Sequence, residues 1–145
     1  MRALQKESEV LLIRVLACDD DDDVRAVVEL ALAASGRFDV QPVASGEAAL
    51  AACAEGRPDL VLLDVLMPGM DGMQTLAALR ASEVGVHIPV IFLSGKSSAD
   101  DVRMLMEQGA AGVLEKPFDL LSLADRVLAI YSEAAGVASA PRGGT

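Results

Sequence analysis

Five residues whose side chains suit metal binding or group transfer each stand at or just after the end of a short apolar run. Asp19 and Asp20 follow the first run, Asp64 the third, Ser94 the fourth and Lys116 the fifth. If these runs are parallel strands, their carboxyl ends meet at one edge of the sheet, where open α/β sheets bind ligands. The spacing therefore predicts three carboxylates, one hydroxyl and one ammonium group in a single site.

The chemistry predicted for this site is phosphoryl transfer assisted by a divalent cation. Three clustered carboxylates repel one another, and each raises the pKa of the others unless a cation lies among them. Oxygen ligands without His or Cys suit a hard ion such as Mg²⁺. Ser94 and Lys116 are then available to hold phosphoryl oxygens. Asp64, which ends the central run, is the candidate nucleophile that forms an acyl phosphate.

Each of these residues also has an ordinary structural explanation. The neighbouring aspartates at 21–23 are expected to form the solvated start of a helix, where the helix dipole favours negative charge. Ser94 and Lys116, taken singly, fit turns that follow strands. A carboxylate that closes the apolar run Leu60–Leu63 is costly to bury and is harder to explain in this way. The prediction of a site depends on all of these groups occurring in order, each at a strand end.

Apolar runs typical of strands alternate with amphipathic segments typical of helices. The runs are Leu11–Cys18, Phe38–Ala44, Leu60–Leu63, Ile88–Leu93 and Gly112–Leu114. Three are nearly unbroken Val, Ile and Leu, which indicates strands covered on both faces. Helix caps and stops are expected at Gly36, Ser45, Gly56, Asp71, Ser98 (a capping box with Asp101), Gly109, Asp119 and about Ala135. Five strands alternating with five helices predict an α/β fold with a doubly wound parallel sheet.

Length and charge bound the class of protein. The chain has 145 residues, 52 % of them hydrophobic, and a formal net charge of −10. A core of this size is stable without disulfides or metals. We expect one domain over residues 10–135, with flexible ends at 1–9 and 136–145. The acidic charge argues against direct nucleic-acid binding, which needs a basic surface.

Cysteine usage and hydropathy indicate an intracellular protein. Cys18 and Cys53 are too few for a disulfide framework and are expected to be free, buried thiols. Zinc is not expected, because His87 is the only histidine in the sequence. Arg14 interrupts the apolar run Val10–Cys18, so this run does not fit a signal peptide. No run approaches the roughly 18 apolar residues of a membrane span, and we expect a cytoplasmic protein without a membrane partner.

Together these motifs resemble the receiver domain of two-component response regulators, which has the chemotaxis-regulator fold. The most specific stretch is LLDVLMPGMDG at 62–72, which is similar to the family's phosphorylation loop. The acidic pair at 19–20, the hydroxyl of Ser94 and the Lys-Pro-Phe sequence at 116–118 match the family's other motifs. The resemblance covers most of the chain. It implies a flavodoxin-like three-layer sandwich with strand order 2-1-3-4-5.

The resemblance implies that Asp64 is the phosphoacceptor of a signalling switch that catalyses only its own phosphorylation and dephosphorylation. Asp20, Asp64 and the backbone carbonyl of Leu66 would bind Mg²⁺, or Mn²⁺, directly, and Asp19 would act through water. The phosphoryl donor would be a histidine kinase or a histidine phosphotransfer protein of a phosphorelay.

Two further residues have roles that the resemblance implies. Ser94 and Lys116 would contact the phosphoryl group. The peptide bond between Lys116 and Pro117 is expected to be cis, although only about 5–6 % of X-Pro bonds are cis in folded proteins. Leu66 and Lys96 hold the positions that flank the path of the hydrolytic water, and they are expected to set the lifetime of the phosphorylated state.

The sequence departs from the family pattern at two positions. Val113 stands where the family usually carries Tyr or Phe, and Gly95 stands where it usually carries Ala. We therefore expect phosphorylation to produce a muted or different surface change. Amide NMR shifts on binding of a phosphate mimic that spread over residues 94–131 as broadly as around Asp64 would contradict this expectation.

Three other classes of protein were weighed against the receiver. A haloacid-dehalogenase-like phosphatase would use Asp20 and Asp22 after the first strand, but Val24 follows Asp20 at the wrong offset and Asp64 would have no role. A degenerate receiver that only binds proteins fits the fold, although its chemical residues would be expected to be lost. A flavodoxin-like nucleotide binder needs backbone amides after the first strand, where this chain has aspartates that repel phosphate.

The last predicted helix carries more apolar positions than one core face requires. They are Leu120, Leu121, Leu123, Val127, Leu128, Ile130 and Tyr131. This excess weakly indicates a downstream protein target or a homodimer through the fourth and fifth helices. Sedimentation as a monomer with and without phosphorylation would contradict the dimer.

Overall fold

The computed structural model describes residues 11–95 and 98–136. The expected flexible ends lie outside this part of the chain, apart from Gly136, and so does Lys96. The strands are β1 (Ile13–Cys18), β2 (Phe38–Val43), β3 (Leu60–Asp64), β4 (Val90–Ser94) and β5 (Gly112–Glu115). The helices are α1 (Asp22–Ala34), α2 (Gly46–Glu55), α3 (Gly72–Arg80), α4 (Ala99–Glu107) and α5 (Leu120–Ala135).

The five strands form one parallel sheet in the order β2-β1-β3-β4-β5. The expected α/β class, the doubly wound sheet and the strand order are confirmed. The order reverses between β1 and β3, and open sheets bind ligands at such a point. Strand β3 is central, and all five of its residues are buried. The residue that ends it therefore stands in the middle of the sheet edge.

Side chains of alternate residues on β3 enter two separate cores. Val61 and Leu63 belong to the core formed with α2, α3 and α4. Leu60 and Leu62 belong to the core formed with α1 and α5. This division is the reason that the strand reads as an unbroken apolar run, since both of its faces are covered. The result is the predicted three-layer sandwich.

Two strands begin later than their apolar runs predict. Leu11 is 93 % exposed and lies before β1, which begins at Ile13. Strand β4 begins at Val90 because Pro89 has no amide hydrogen to donate to the sheet. Strands β3 and β4 also extend one residue further than predicted, so that Asp64 and Ser94 are themselves the last strand residues.

The N-caps predicted at Ser45, Asp71, Ser98 and Asp119 are confirmed, and Asp21, which was expected only to lie in a solvated helix start, is the N-cap of α1. Side chains of Asp21, Ser45, Asp71 and Asp119 accept backbone N–H groups at the starts of α1, α2, α3 and α5. The capping box predicted for Ser98 and Asp101 is wrong in part. Ser98 accepts from the Asp101 amide, but the Asp101 carboxylate accepts the Ser98 hydroxyl instead of its backbone N–H. A full box forms only at α3, where the longer Gln74 side chain reaches back to its cap.

Among the described residues, no helix combines the length and the apolar character that a membrane span requires.

Candidate functional site

The structure brings the five predicted site residues into one cleft at the carboxyl edge of the sheet. Asp64 and Ser94 end β3 and β4, and the other three follow β1 and β5. The cleft has a volume of about 480 Å³, and Leu66 from the loop after β3 also lines it. Residues far apart in the sequence meet because parallel strands end at the same edge. The predicted juxtaposition is therefore present.

Lys116 lies between two carboxylates. Its Nζ is 2.8 Å from Asp19 Oδ2 and 3.1 Å from Asp64 Oδ1. Its backbone N–H donates to the carbonyl of Ser94, which fixes the end of β5 beside the end of β4. Burial by itself lowers the pKa of Lys116, but the ion pairs with Asp19 and Asp64 outweigh it, and the pKa is raised. The ammonium group is thus charged in the physiological range.

Asp64 is a carboxylate in an unfavourable position. It is 5 % exposed, and burial is the main cause that raises its pKa to about 6. The hydrogen bond from Lys116 opposes this shift, and the negative charge of Asp19 adds to it. Asp64 is still mostly ionised at neutral pH, as a nucleophile must be. It is also poorly neutralised, because one ammonium group serves two carboxylates.

The carboxylates fit a divalent cation. One oxygen from each of Asp19, Asp20 and Asp64 lies within 4.8 Å of the others. Asp19 Oδ2 is buried and accepts no well-formed hydrogen bond, although Lys116 forms an ion pair with it. Asp20 is exposed and gives the group access to solvent. A group of oxygen ligands that is partly buried and partly exposed to solvent is typical of Mg²⁺ sites, in which the ion keeps several waters.

The loop after β3 is held by a very close backbone approach. A Cβ atom added to Gly72 would lie 2.3 Å from the carbonyl oxygen of Asp64 and 2.8 Å from Cα of Val65. The Gly72 amide donates to the Val65 carbonyl at 2.9 Å. Only glycine allows α3 to begin this close to the end of β3. The start of α3 thereby fixes the backbone that carries Asp64.

Cys18, for which the sequence predicted no contact, packs against the loop that follows β3. Its thiol donates to the Ser45 carbonyl and lies 3.6 Å from Met67 Sδ. Burial, and then the charges of Asp19 and Asp64, raise the pKa of Cys18 to about 12. The thiol is therefore protonated and unreactive, as expected for a core cysteine. Both cysteines are free and buried, as predicted.

Two other predictions about the site are confirmed, and a third is untested. The peptide bond between Lys116 and Pro117 is cis, as expected. The run at 21–23 is a helix start, as expected, with Asp21 as the N-cap of α1. Val113, at the position of the missing aromatic residue, is half-buried against the core under α4. Its effect on switching stays a prediction.

Comparison with known proteins identifies the class to which this fold and acidic cleft belong. The family model described as the response regulator receiver domain matches residues 15–128. The chain belongs to this family, and it is a receiver domain of two-component response regulators. The expected fold and the expected class, a receiver domain of two-component signalling, are thus confirmed. The phosphatase and nucleotide-binder alternatives are set aside.

Individual relatives agree with this assignment. The transcriptional regulatory protein PrrA of Mycobacterium tuberculosis is 45 % identical over 117 residues, which are 81 % of this chain and 49 % of PrrA. The DNA-binding response regulator MtrA of Mycolicibacterium smegmatis is 38 % identical over 116 residues, 80 % of this chain and 49 % of MtrA. The chain thus spans about half the length of the curated relatives it matches.

Solved structures show the same fold. The chemotaxis response regulator CheY4 of Vibrio cholerae superposes with a TM-score of 0.77 at 30 % identity, covering 83 % of this chain and 99 % of CheY4. The receiver domain of the Francisella response regulator 1452 superposes with a TM-score of 0.74 at 28 % identity, covering 83 % and 97 %.

Proposed function

We propose that Asp64 accepts a phosphoryl group from a phosphohistidine of a histidine kinase or of a histidine phosphotransfer protein. The observation that carries this proposal is the place of Asp64. Its carboxylate ends the central strand, 3.1 Å from Lys116 Nζ and within 4.8 Å of the acidic pair. An Asp64 oxygen attacks phosphorus, and the bond from phosphorus to the donor nitrogen breaks. The donor imidazole leaves with the electron pair.

The remaining site residues have roles before and during transfer. Asp20, Asp64 and the backbone carbonyl of Leu66 would hold Mg²⁺ or Mn²⁺, with Asp19 acting through water. When bound, the ion supplies positive charge beside the carboxylates and the phosphoryl oxygens. Ser94 donates a hydrogen bond and Lys116 donates positive charge to the phosphoryl oxygens as they become more negative. In this role the domain catalyses only its own phosphorylation and dephosphorylation.

A second surface supports a partner protein as the phosphoryl donor. A groove of about 530 Å³ lies between α1 and the loop from β5 to α5. Its apolar lining consists of Val24, Val27, Pro117, Phe118 and Leu120, and Lys116 belongs to both the groove and the catalytic cleft. We name these lining residues the partner groove. Because Lys116 lines both spaces, a helix seated in the partner groove would place a histidine near the cleft that holds Asp64.

The proposal covers only this domain. The named relatives that bind DNA are about twice as long as the matched region. The expectation of no direct nucleic-acid contact therefore concerns these residues, whose net charge is acidic. A cytoplasmic location and a domain boundary at 10–135 are proposals of the same kind.

The test uses acetyl phosphate as the donor, with and without Mg²⁺, and measures intact mass for the wild type and for Asp64→Asn. We expect a gain of one base-labile phosphoryl group that requires Mg²⁺ and is lost in the variant. The same gain in Asp64→Asn would contradict the assignment of the phosphoacceptor. No adduct in folded protein would favour a degenerate receiver that acts only as a binding module.

A further inference from the structure

Beside the charged groups that take part in phosphoryl transfer, the catalytic cleft has an apolar side. Four of its lining residues are Leu66, Met73, Met104 and Leu105, contributed by the loop after β3, by α3 and by α4. We name these four residues the apolar wall. Leu66 is 70 % exposed and Met104 is 43 % exposed, so large apolar surfaces face the space beside Asp64.

The size of the cleft exceeds that of a site for an ion alone. Its volume of about 480 Å³ lies in the range of small-molecule pockets, which is about 300–1,000 Å³. The charged groups and the apolar wall line the same space, so one ligand can contact both. Such a ligand has a phosphoryl group at one end and an apolar group at the other.

We propose that the apolar wall is a subsite for the alkyl chain of an acyl phosphate, so that the domain reacts faster with longer-chain acyl phosphates than with acetyl phosphate. This inference rests on the proposed phosphorylation of Asp64. An Asp64 oxygen attacks phosphorus, and the bond between phosphorus and the acyl oxygen breaks. The fatty carboxylate leaves with the electron pair, and no proton, oxidant or reductant is needed.

The charges around the cleft define which leaving group fits. Asp21 and Asp101 line the cleft in addition to the three carboxylates of the predicted metal site. A second negative charge on the leaving group would therefore be repelled, whereas an alkyl chain has no charge and gains apolar contact. Methionine side chains are flexible enough to fit chains of different shape. The wall thus favours short, unsubstituted alkyl chains.

The experiment compares phosphorylation of the Mg²⁺-loaded protein by acetyl phosphate and by butyryl phosphate, followed by intact mass below saturation. The two donors have the same reactive group and the same charge, so the ratio of their rates isolates the alkyl chain. We expect butyryl phosphate to react about fourfold faster, the effect of burying about half of two added methylene groups.

A matched pair of variants locates the effect. Met104→Gln replaces an apolar wall residue with a polar residue of similar shape, and we expect the ratio to fall to about one. Met106→Gln places the same change on α4 at a methionine of similar exposure, 41 %, that does not line the cleft. This control should leave the ratio at about four.

Each contrary result has a distinct meaning. Equal rates for the two donors in the wild type, with normal labelling by acetyl phosphate, would overturn the subsite and leave the proposed function intact. A ratio that falls equally in both variants, or in neither, would overturn the assignment to the apolar wall. No labelling by either donor would overturn the proposed function and this inference with it.

Discussion

At the scale of the residue, the central fact is the cost of keeping Asp64 charged. Burial raises the pKa of its carboxyl group from 3.8 to about 6, and Lys116 offsets only part of that effect. The ionised form is therefore less stable in the folded protein than in the unfolded chain. The contribution of this group to stability is fully present below pH 4 and is lost as the pH rises through 6.

Replacement of Asp64 by Asn should therefore stabilise the metal-free protein. In chelator at pH 8 we expect Asp64→Asn to raise the free energy of unfolding by about 1–2 kcal/mol, less than the full pKa shift would give because solvent screens part of it. At pH 4, where the wild-type carboxyl is close to neutral, most of the difference should disappear. Urea unfolding at the two pH values measures both quantities.

Magnesium provides the control for this prediction. An ion that binds only the folded state stabilises it more when it binds more tightly, with the logarithm of the ion concentration over its Kd, and the variant lacks one charged ligand. Saturating Mg²⁺ should therefore stabilise the wild type more than Asp64→Asn. The difference between their free energies of unfolding at pH 8 should then become smaller. A variant that is less stable than the wild type in chelator at pH 8 would show that the hydrogen bond to Lys116 outweighs the cost of burial.

At the scale of the element, the start of α3 decides where Asp64 stands. The Cβ of an alanine at 72 would overlap backbone atoms of the strand end, which cannot rotate away as a side chain can. We expect Gly72→Ala to lower the free energy of unfolding by about 1–3 kcal/mol, the usual cost of overpacking. Labelling of Asp64 by acetyl phosphate should slow as well, because α3 must move away from the loop that carries it.

Gly95 offers a matched glycine on the neighbouring strand end. No described atom lies within 4 Å of a Cβ added there. Gly95→Ala should change the free energy of unfolding by less than about 0.5 kcal/mol, as is usual for surface substitutions. Equal destabilisation by the two alanines in chemical denaturation would mean that the close approach at 72 is not responsible, since loss of backbone freedom in the unfolded chain would by itself stabilise both variants.

Helices and strands with a clear pattern of apolar residues or a capping residue could be predicted from the sequence. Contacts between side chains that are far apart in the sequence could not. The run LVLL followed by Asp64 predicted a buried central strand, because both faces of that strand are covered. The partial failure at Ser98 came from a short Asp side chain, which bonded to the hydroxyl rather than to the backbone.

The features that could not be predicted depend on contacts between residues far apart in the sequence. Arg80 donates to carbonyls of Gly85, Ile88 and Gly109, and so ties the end of α3 to the segments before β4 and β5. Nothing in the sequence around Arg80 specifies these partners. The apolar wall could not be predicted either, because Met73 on α3 and Met104 on α4 line one cleft only in the folded protein.

At the scale of the whole molecule, two surfaces of different character meet at Lys116. The acidic cleft lies on one side of it and the partner groove lies on the other. Burial accounts for only part of the excess of apolar residues on α5. Leu123 and Val127 are buried, whereas Leu120 and Leu121 are exposed at its first turn. Leu120 lines the groove, and Leu121 does not.

This difference provides a test of partner docking. Leu120→Glu and Leu121→Glu add the same charge to the first turn of α5, where the helix dipole tolerates it. Only the first places that charge in the partner groove. The phosphoryl donor is a phosphohistidine protein that labels the wild type. We expect Leu120→Glu to lower the ratio of the rate with this donor to the rate with acetyl phosphate by about tenfold, consistent with the loss of one buried leucine. Leu121→Glu should keep the wild-type ratio. A fall of the same size in both variants would attribute the effect to general repulsion from an acidic domain, and no fall in either would place the partner elsewhere.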